Sequence, residues 1–468
     1  MTNVMSAEDF SGLTVARFDV RLRALEPVSL PPFLGSTLRG ALGHALKQAV
    51  CVVDHNDCSR CPVAPQCVYP RFFETRVPPG IEHLQGQQYA PLPFILEPPI
   101  VRNPLKRVWR LPARLLEKAD LAASHTGQHG AGAQRTITTF ECLPDEAARD
   151  DAVSARKPSI VSSVVLPDQA KKWNAGEDLS FGLTLLGQAI EFLPYIIFAI
   201  ASMARRGLGA DRSPFELKEI RLKRARNATE LIYPGEDSSL TVHSSVDCPL
   251  SELISERLTN LRSQAANAED ARIPHLAAQL PSRTIDEAIA ERLDELRAAI
   301  LNASVSGQRD QLTWAIETGC ECENGDSREQ SSKREPRLKL RFLTPARIRV
   351  QGDLQTTLPF ELLIRSLLRR ISALSSVHGR SHLDLDYRGL IWRARSVRTC
   401  RSLLKWWDLG RYSNRQNEKL KVGGLIGEIE YEGGSLDEYL PLLAAGEFLQ
   451  IGTGASYGLG RYVIEGLI

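Results

Sequence analysis

Gly452-Thr453-Gly454-Ala455-Ser456-Tyr457-Gly458-Leu459-Gly460 is the stretch on which the reading of this chain turns. Four glycines in nine residues lie between an apolar, helix-patterned run from Leu436 to Phe448 and a strand-patterned run from Arg461 to Ile464. The loop therefore follows a helix and opens a strand. Dinucleotide fingerprints and Walker loops do the reverse, so neither is present here. A turn that needs positive φ angles accounts for such a run. So does a backbone bare enough for phosphates to reach its amide N–H groups, and Arg461 just beyond would suit that use.

Working backwards, Leu338 to Val350 reads as a strand with Arg337, Lys339, Arg341, Arg347 and Arg349 among its apolar positions. Phe360, Leu363, Ile364, Leu367, Ile371 and Leu374 keep one helical face apolar, and Ile426 to Tyr431 is a further strand. The first half of the chain has a related plan. Phe18, Val20 and Leu22 alternate with Arg17, Asp19, Arg21 and Arg23, the period-two pattern of a half-buried strand. After Pro31, Pro32 and Gly35, Ser36 suits a helix N-cap, and Leu38, Ala41, Leu42, Ala45, Leu46 and Ala49 fall on one face. Leu179 to Leu186 reads as a strand, Gln188 to Arg206 as a helix, Gly207-Leu208-Gly209 as a turn and Phe215 to Leu222 as a strand. Strand, helix, strands, helix, strand is the ferredoxin-like order.

The expected fold is α+β, with two ferredoxin-like domains in tandem. Residues 1–235 form the first, carrying a cysteine cluster at 51–67 and a polar, Ala-rich insertion at about 111–172. Residues 236–336 are a charged helical insertion and a polar linker, and 337–468 form the second domain with its glycine loop. At 468 residues the chain has room for these cores. A net charge of +2 points neither toward nor away from nucleic acid, so only local charge informs. Met1 to Phe10 is polar and acidic and Phe192 to Ala204 is too short to span a bilayer, so a cytoplasmic protein with no membrane partner is expected.

Several stretches together resemble the RAMP-superfamily endoribonucleases that process CRISPR precursor RNA, the Cas6 type. They are Phe342-Leu343-Thr344-Pro345, Trp407-Asp408-Leu409-Gly410-Arg411-Tyr412-Ser413-Asn414-Arg415-Gln416, Gly423-Gly424-Leu425-Ile426-Gly427 and the terminal glycine loop. Leu38-Arg39-Gly40 and Gly207-Leu208-Gly209 resemble the N-terminal half of that family. The resemblance implies cleavage of CRISPR repeat RNA without a metal ion, a 2′-hydroxyl attacking the adjacent phosphate to leave a 2′,3′-cyclic phosphate. The alternative is a non-catalytic RNA-binding RAMP subunit of a CRISPR effector complex, with other effector subunits as partners.

The candidate RNA-binding residues are Arg39, Arg411, Tyr412, Arg415, Gln416, Gly452, Gly454, Gly458, Gly460 and Arg461. Chemistry supports the middle group. Arg388, Arg393, Arg395, Arg398, Arg401, Lys405, Arg411, Arg415, Lys419 and Lys421 interleave with Trp392, Trp406, Trp407 and Tyr412, and beyond Arg388 the stretch holds only Asp408 and Glu418 as acids. Cations neutralise phosphates, and aromatic faces stack on unpaired bases. For catalysis, His44 points away from the apolar stripe of its helix, and Lys47 lies one turn on. An imidazole titrates near neutrality and can move the proton, while Lys47 would stabilise charge on the phosphate. In the resembling family a catalytic histidine often lies on this first helix. His378 and His382, in a loop around Gly379, are the rivals.

Cys51-x6-Cys58-x2-Cys61-x5-Cys67 places four thiols within seventeen residues. They suit one structural Zn²⁺ with a closed four-thiolate shell, although an iron–sulfur cluster takes the same donors. No cofactor is expected for catalysis. Cys320-x-Cys322 is read as incidental.

Overall fold

The computed structural model describes residues 5–53, 57–99, 171–225, 228–235, 245–279, 335–413 and 418–467. The expected insertion at 111–172 lies outside them except for its last two residues. So do Cys320 and Cys322, the helical insertion beyond 279 and the expected linker apart from Glu335 and Pro336.

In the N-terminal half, β1 (Thr14–Ala24) precedes α1 (Gly35–Val50), the one-and-a-half-turn α2 (Val68–Phe73) and β2 (Phe94–Glu97). β3 (Asp178–Leu186), α3 (Leu193–Arg206), β4 (Phe215–Lys223) and β5 (Thr229–Tyr233) complete it. The strands pair antiparallel in the order β2-β3-β1-β4-β5. Period-two alternation on β1 buries Ala16, Phe18, Val20, Leu22 and Ala24 in one core with the inner faces of α1 and α3. On the opposite face, Asp19 pairs with Lys223 at 2.7 Å, Arg21 with Glu219 at 3.1 Å and Arg23 with Asp178 at 2.9 Å.

α1 starts at Gly35, with Leu34 rather than Ser36 at the N-cap. A Cβ on Gly35 would strike the Tyr457 carbonyl, so tertiary packing sets this helix start and the expected Ser36 cap lies inside the first turn. α3 is led in by a 3₁₀ turn, Gly187–Phe192. Together they make a 20-residue span long and apolar enough to cross a membrane by length and composition. Here Ile196, Ala199, Ile200 and Met203 are buried in the N-terminal core, where the span serves as a core helix.

In the C-terminal half, β6 (Arg337–Ala346), α5 (Phe360–His378), α6 (Tyr387–Arg393), β7 (Arg398–Ser402) and β8 (Lys405–Ser413) come first. β9 (Glu418–Glu432), α7 (Leu436–Leu449) and β10 (Tyr462–Leu467) follow. The sheet runs β7-β9-β6-β10, with β8 continuing along β9. The core contains Tyr431, Tyr439 and Tyr462, and each hydroxyl finds a backbone acceptor: Leu358 at 2.8 Å, Leu390 at 2.7 Å and Leu443 at 2.7 Å. A buried phenol without one would cost stability.

Helix α4 (Leu250–Gln279), expected as part of an insertion, begins inside this second core. Leu250, Ile254 and Leu261 are buried there, and Arg257 holds Glu447 at 2.6 Å and the Ile464 carbonyl at 2.7 Å. Val15, Ile95 and Leu186 of the first half are buried in the same cluster, so the two sheets share apolar contacts.

Candidate nucleic-acid interface and catalytic histidine

α1 carries the catalytic candidates because its apolar positions recur every three to four residues. Leu38, Leu42, Ala45 and Leu46 face the core, which leaves Gly40 and His44 outward. His44 is exposed, and a Cβ added at Gly40, one turn earlier, would meet nothing within 4 Å. A polynucleotide backbone can therefore approach the imidazole. Lys47 turns elsewhere: its ammonium lies 5.0 Å over the Tyr69 ring, and its side chain lines the pocket that also holds the four thiols. Arg39 stacks 5.6 Å from the Phe73 ring centroid.

The glycine loop touches α1 at Gly35, and protein packing accounts for its glycines. Gly452, Gly454, Gly458 and Gly460 all take positive φ, from 76° to 92°. Gly458 and Gly460 are buried. A Cβ on Gly458 would collide with the Pro98 ring and come within 2.8 Å of the Leu96 carbonyl, and one on Gly460 would strike the Ile451 carbonyl. The N–H groups of Gly458 and Gly460 donate within the protein, to the Ala455 and Pro345 carbonyls at 2.9 Å each. Gly452 and Gly454 remain half-buried.

Arg461 is likewise engaged within the protein. Its guanidinium pairs with Glu97 at 3.2 Å, and its backbone N–H donates to the Thr344 hydroxyl at 2.9 Å. Glu97 is a buried carboxylate, and burial alone would raise its pKa. Arg461, Arg17 and Lys223 outweigh that and hold it below the ordinary glutamate value, with help from the Thr184 hydroxyl. In this structure the Arg461 side chain forms an ion pair that ties β10's entry to β2. Nothing in the local sequence around Phe94-Ile95-Leu96-Glu97 signals this role.

The dense basic stretch is more balanced than it reads. Arg393 pairs with Glu438, Arg395 with Glu361 at 3.2 Å, Arg398 with Glu335 at 3.2 Å and Arg401 with Glu430 at 3.6 Å. Antiparallel pairing with the acidic end of β9 supplies part of that charge. Arg388 has no ion pair among the described residues, and Trp392 beside it is 70% exposed. Trp406 donates from Nε1 to Asp408 at 2.9 Å and is partly exposed, while Trp407 is half-buried. Arg411 and Tyr412 fall on β8 opposite Leu420 and Lys419; Arg415 and Gln416 lie outside the described residues.

Of the rival histidines, His378 is buried, with Nε2 2.7 Å from the Pro91 carbonyl. Burial lowers its pKa, the Pro91 bond opposes this and nearby Arg370 adds to it, so it is held neutral between the two halves. His382 is exposed, with Nδ1 2.9 Å from the Ser376 hydroxyl. His83, which no motif marks, sits over the same helix, 3.4 Å from Ser372 Oγ and 3.5 Å from Ser376 Oγ.

Residues 340–462 match the family of CRISPR-associated endoribonuclease Cas6. Residues 13–109 and 122–245 match a family described as the AF_1859 N-terminal domain. No curated protein matches the chain. Similar solved structures include a Cas6 product complex, at 13% identity over 96% of this chain and 99% of that one with a TM-score of 0.40. Thermus thermophilus Cas6 gives 11%, 97%, 98% and 0.38, and a partial Cas6-RT-Cas1–Cas2 complex gives 9%, 97%, 46% and 0.41. At these TM-scores the structural likenesses carry no weight, and the sequence match is what places the C-terminal domain. Over residues 340–462, then, the chain is similar in sequence to the Cas6 family of CRISPR-associated endoribonucleases.

Proposed function

We propose that the chain binds CRISPR repeat RNA and cuts it without a metal ion, with His44 moving the proton. The observation that carries this reading is the Cas6 match over residues 340–462. The strand orders support two ferredoxin-like domains in tandem: β1 lies between β3 and β4 with β2 at the edge beyond β3, and β6 lies between β9 and β10 with β7 at the edge beyond β9. His44 stands exposed on the first helix beside the open space at Gly40, where a strand can reach it.

In the reaction a 2′-oxygen attacks the adjacent phosphorus and the bond to the 5′-oxygen breaks. The products are a 2′,3′-cyclic phosphate and a 5′-hydroxyl. The imidazole takes the 2′-hydroxyl proton or gives one to the leaving oxygen. Lys47 would swing from Tyr69 to reach the phosphate. Arg39, Arg411, Tyr412, Arg415 and Gln416 are the proposed RNA contacts, with Gly452 and Gly454 as the accessible part of the glycine loop.

A second reading, a non-catalytic RNA-binding subunit, is favoured by one feature: among the described residues no hydrogen bond orients the His44 ring. Repeat RNA incubated with the protein in EDTA separates the two. Cleavage to a cyclic phosphate supports the enzyme, and binding without products supports the scaffold. His44→Ala should slow single-turnover cleavage by roughly 10²- to 10⁴-fold while binding holds, the usual range for a general acid or base. Lys47→Ala should cost less. His382→Ala serves as the control; its collapse beside a normal His44→Ala rate would move the site to the second domain.

A further inference from the structure

We propose that Cys51, Cys58, Cys61 and Cys67 bind one Zn²⁺ between the end of α1 and the start of α2. The proposal is independent of the RNA reading.

The backbone brings the four positions to one place by three local devices. Cys51 is the C-cap of α1, its N–H donating to the Lys47 carbonyl at 2.8 Å. Cys58 and Cys61 bracket a single 3₁₀ turn, Cys58–Arg60, closed by a bond from the Cys61 N–H to the Cys58 carbonyl. Asp57 caps that turn, accepting from the Ser59 N–H at 2.9 Å and the Ser59 hydroxyl at 2.7 Å. Cys67 is the residue before α2, its N–H donating to Val63 at 3.0 Å and Ala64 at 3.2 Å. All four side chains line one pocket, whose other walls include Val50, Val63, Ala64 and Pro70. Each is half-buried and none is in a disulfide.

This segment needs a brace that its own packing does not supply. No described residue from Cys51 to Cys67 is buried, and Val52 is 82% exposed. α2 has only six residues, too few to hold as a helix alone, yet it delivers Val68 and Phe72 to the N-terminal core. Phe72 stacks on Phe94 at 5.2 Å. A loop without a core that still gathers four thiols is the arrangement in which metal binding supplies folding energy.

The donor set selects the ion. Four soft sulfurs in an apolar pocket suit zinc and not calcium, magnesium or manganese, and the one carboxylate lining it, Asp57, already accepts within its turn. In the thiol form, no three His, Cys, Asp or Glu side chains among the described residues stand at metal-binding distances, and the Cys51 thiol donates to the Val53 carbonyl at 3.4 Å. Zn–S bonds of about 2.3 Å require the side chains to rotate inward. Their half-exposed positions on short turns permit it.

The full-length protein, purified without added metal, should carry about one zinc per chain by elemental analysis. After anaerobic exchange into Co²⁺, it should show sulfur-to-cobalt charge transfer and the intense visible bands of a tetrahedral site. Cys58→Ser and Cys61→Ser should each weaken the charge transfer, while Cys248→Ser and Cys400→Ser should leave it unchanged. If those two variants misfold, the wild type still decides: four thiols should become reactive toward a disulfide reagent only after chelation. Weak octahedral Co²⁺ bands, no protected thiols or bound iron with a visible cluster spectrum would each overturn the proposal.

Discussion

Glu97→Gln is the substitution that tests how the two halves are joined. Glutamine keeps the volume of the side chain and an acceptor for Thr184, so the change isolates the charge. In the wild type the carboxylate is only 9% exposed and sits 3.2 Å from Arg461, whose side chain is 29% exposed, with Arg17 and Lys223 adding to the positive field. Removing one member of a buried pair costs about 3–5 kcal/mol because the other is left uncompensated. Arg461 can turn part of its guanidinium to water, so a loss of roughly 2–3 kcal/mol is expected. That should appear as a fall in Tm of a few degrees, on the order of 3–8 °C.

The pH dependence gives the second signature. Glu97 has a folded pKa below its unfolded value of about 4.3, so its stabilisation is complete above that value and lost as pH falls through the lowered one. The Tm gap between wild type and variant should therefore close on acidification below about pH 4.5. Adding Arg461→Gln to Glu97→Gln should cost less than the sum of the singles. A variant as stable as the parent, or a gap unchanged by acid, would refute the electrostatic account of this junction.

Gly458→Ala should destabilise the protein by about 2–4 kcal/mol, combining a positive φ with a collision at Pro98, and any loss of RNA binding should track unfolding in a thermal-shift series. His378→Gln should leave cleavage unaltered. It should also blunt the decline of Tm below about pH 6.5, since the buried wild-type ring resists the proton that the unfolded chain accepts. Arg411→Ala should weaken RNA binding and reduce the slope of log K against log salt by roughly 0.7, one phosphate contact on a single strand; an unchanged slope would remove Arg411 from the interface.

Much of the fold was legible because long elements repeat their apolar positions faithfully. β1 alternates through five buried residues, and α5 keeps Phe360, Leu363, Ile364, Leu367, Ile371 and Leu374 inside. β2 escaped notice because Phe94 to Glu97 is four residues long, buried at every position and hemmed by Pro93 and Pro98, so it has no period to read. Ser36 failed as a cap for a different reason, since the contact that starts α1 comes from Tyr457, more than four hundred residues away in sequence. At the site, the outward direction of His44 followed from helical spacing alone. The pairing of Arg461 with Glu97, and the acids opposite Arg398 and Arg401, depend on sheet register and were invisible in linear charge counts.

The packing of the glycine loop gives it a structural part as well. Its glycines permit a positive-φ course in which the backbone lies against Pro98 and Leu96 on one side and meets the Tyr457–Gly35 contact on the other. A side chain at Gly35 would push the loop off the first turn of α1. His44 lies nine residues further along the same helix, roughly 13 Å by helical rise. The helix bearing the candidate catalytic group is therefore seated at one end by the C-terminal domain. At its other end it runs into the cysteine segment, where Cys51 is its last cap. Helix α1 behaves as a beam supported at both ends, with its open face between the supports. On that arrangement the loop's glycines influence RNA chemistry through where they hold α1, and buried Gly458 and Gly460 need no phosphate contact to matter.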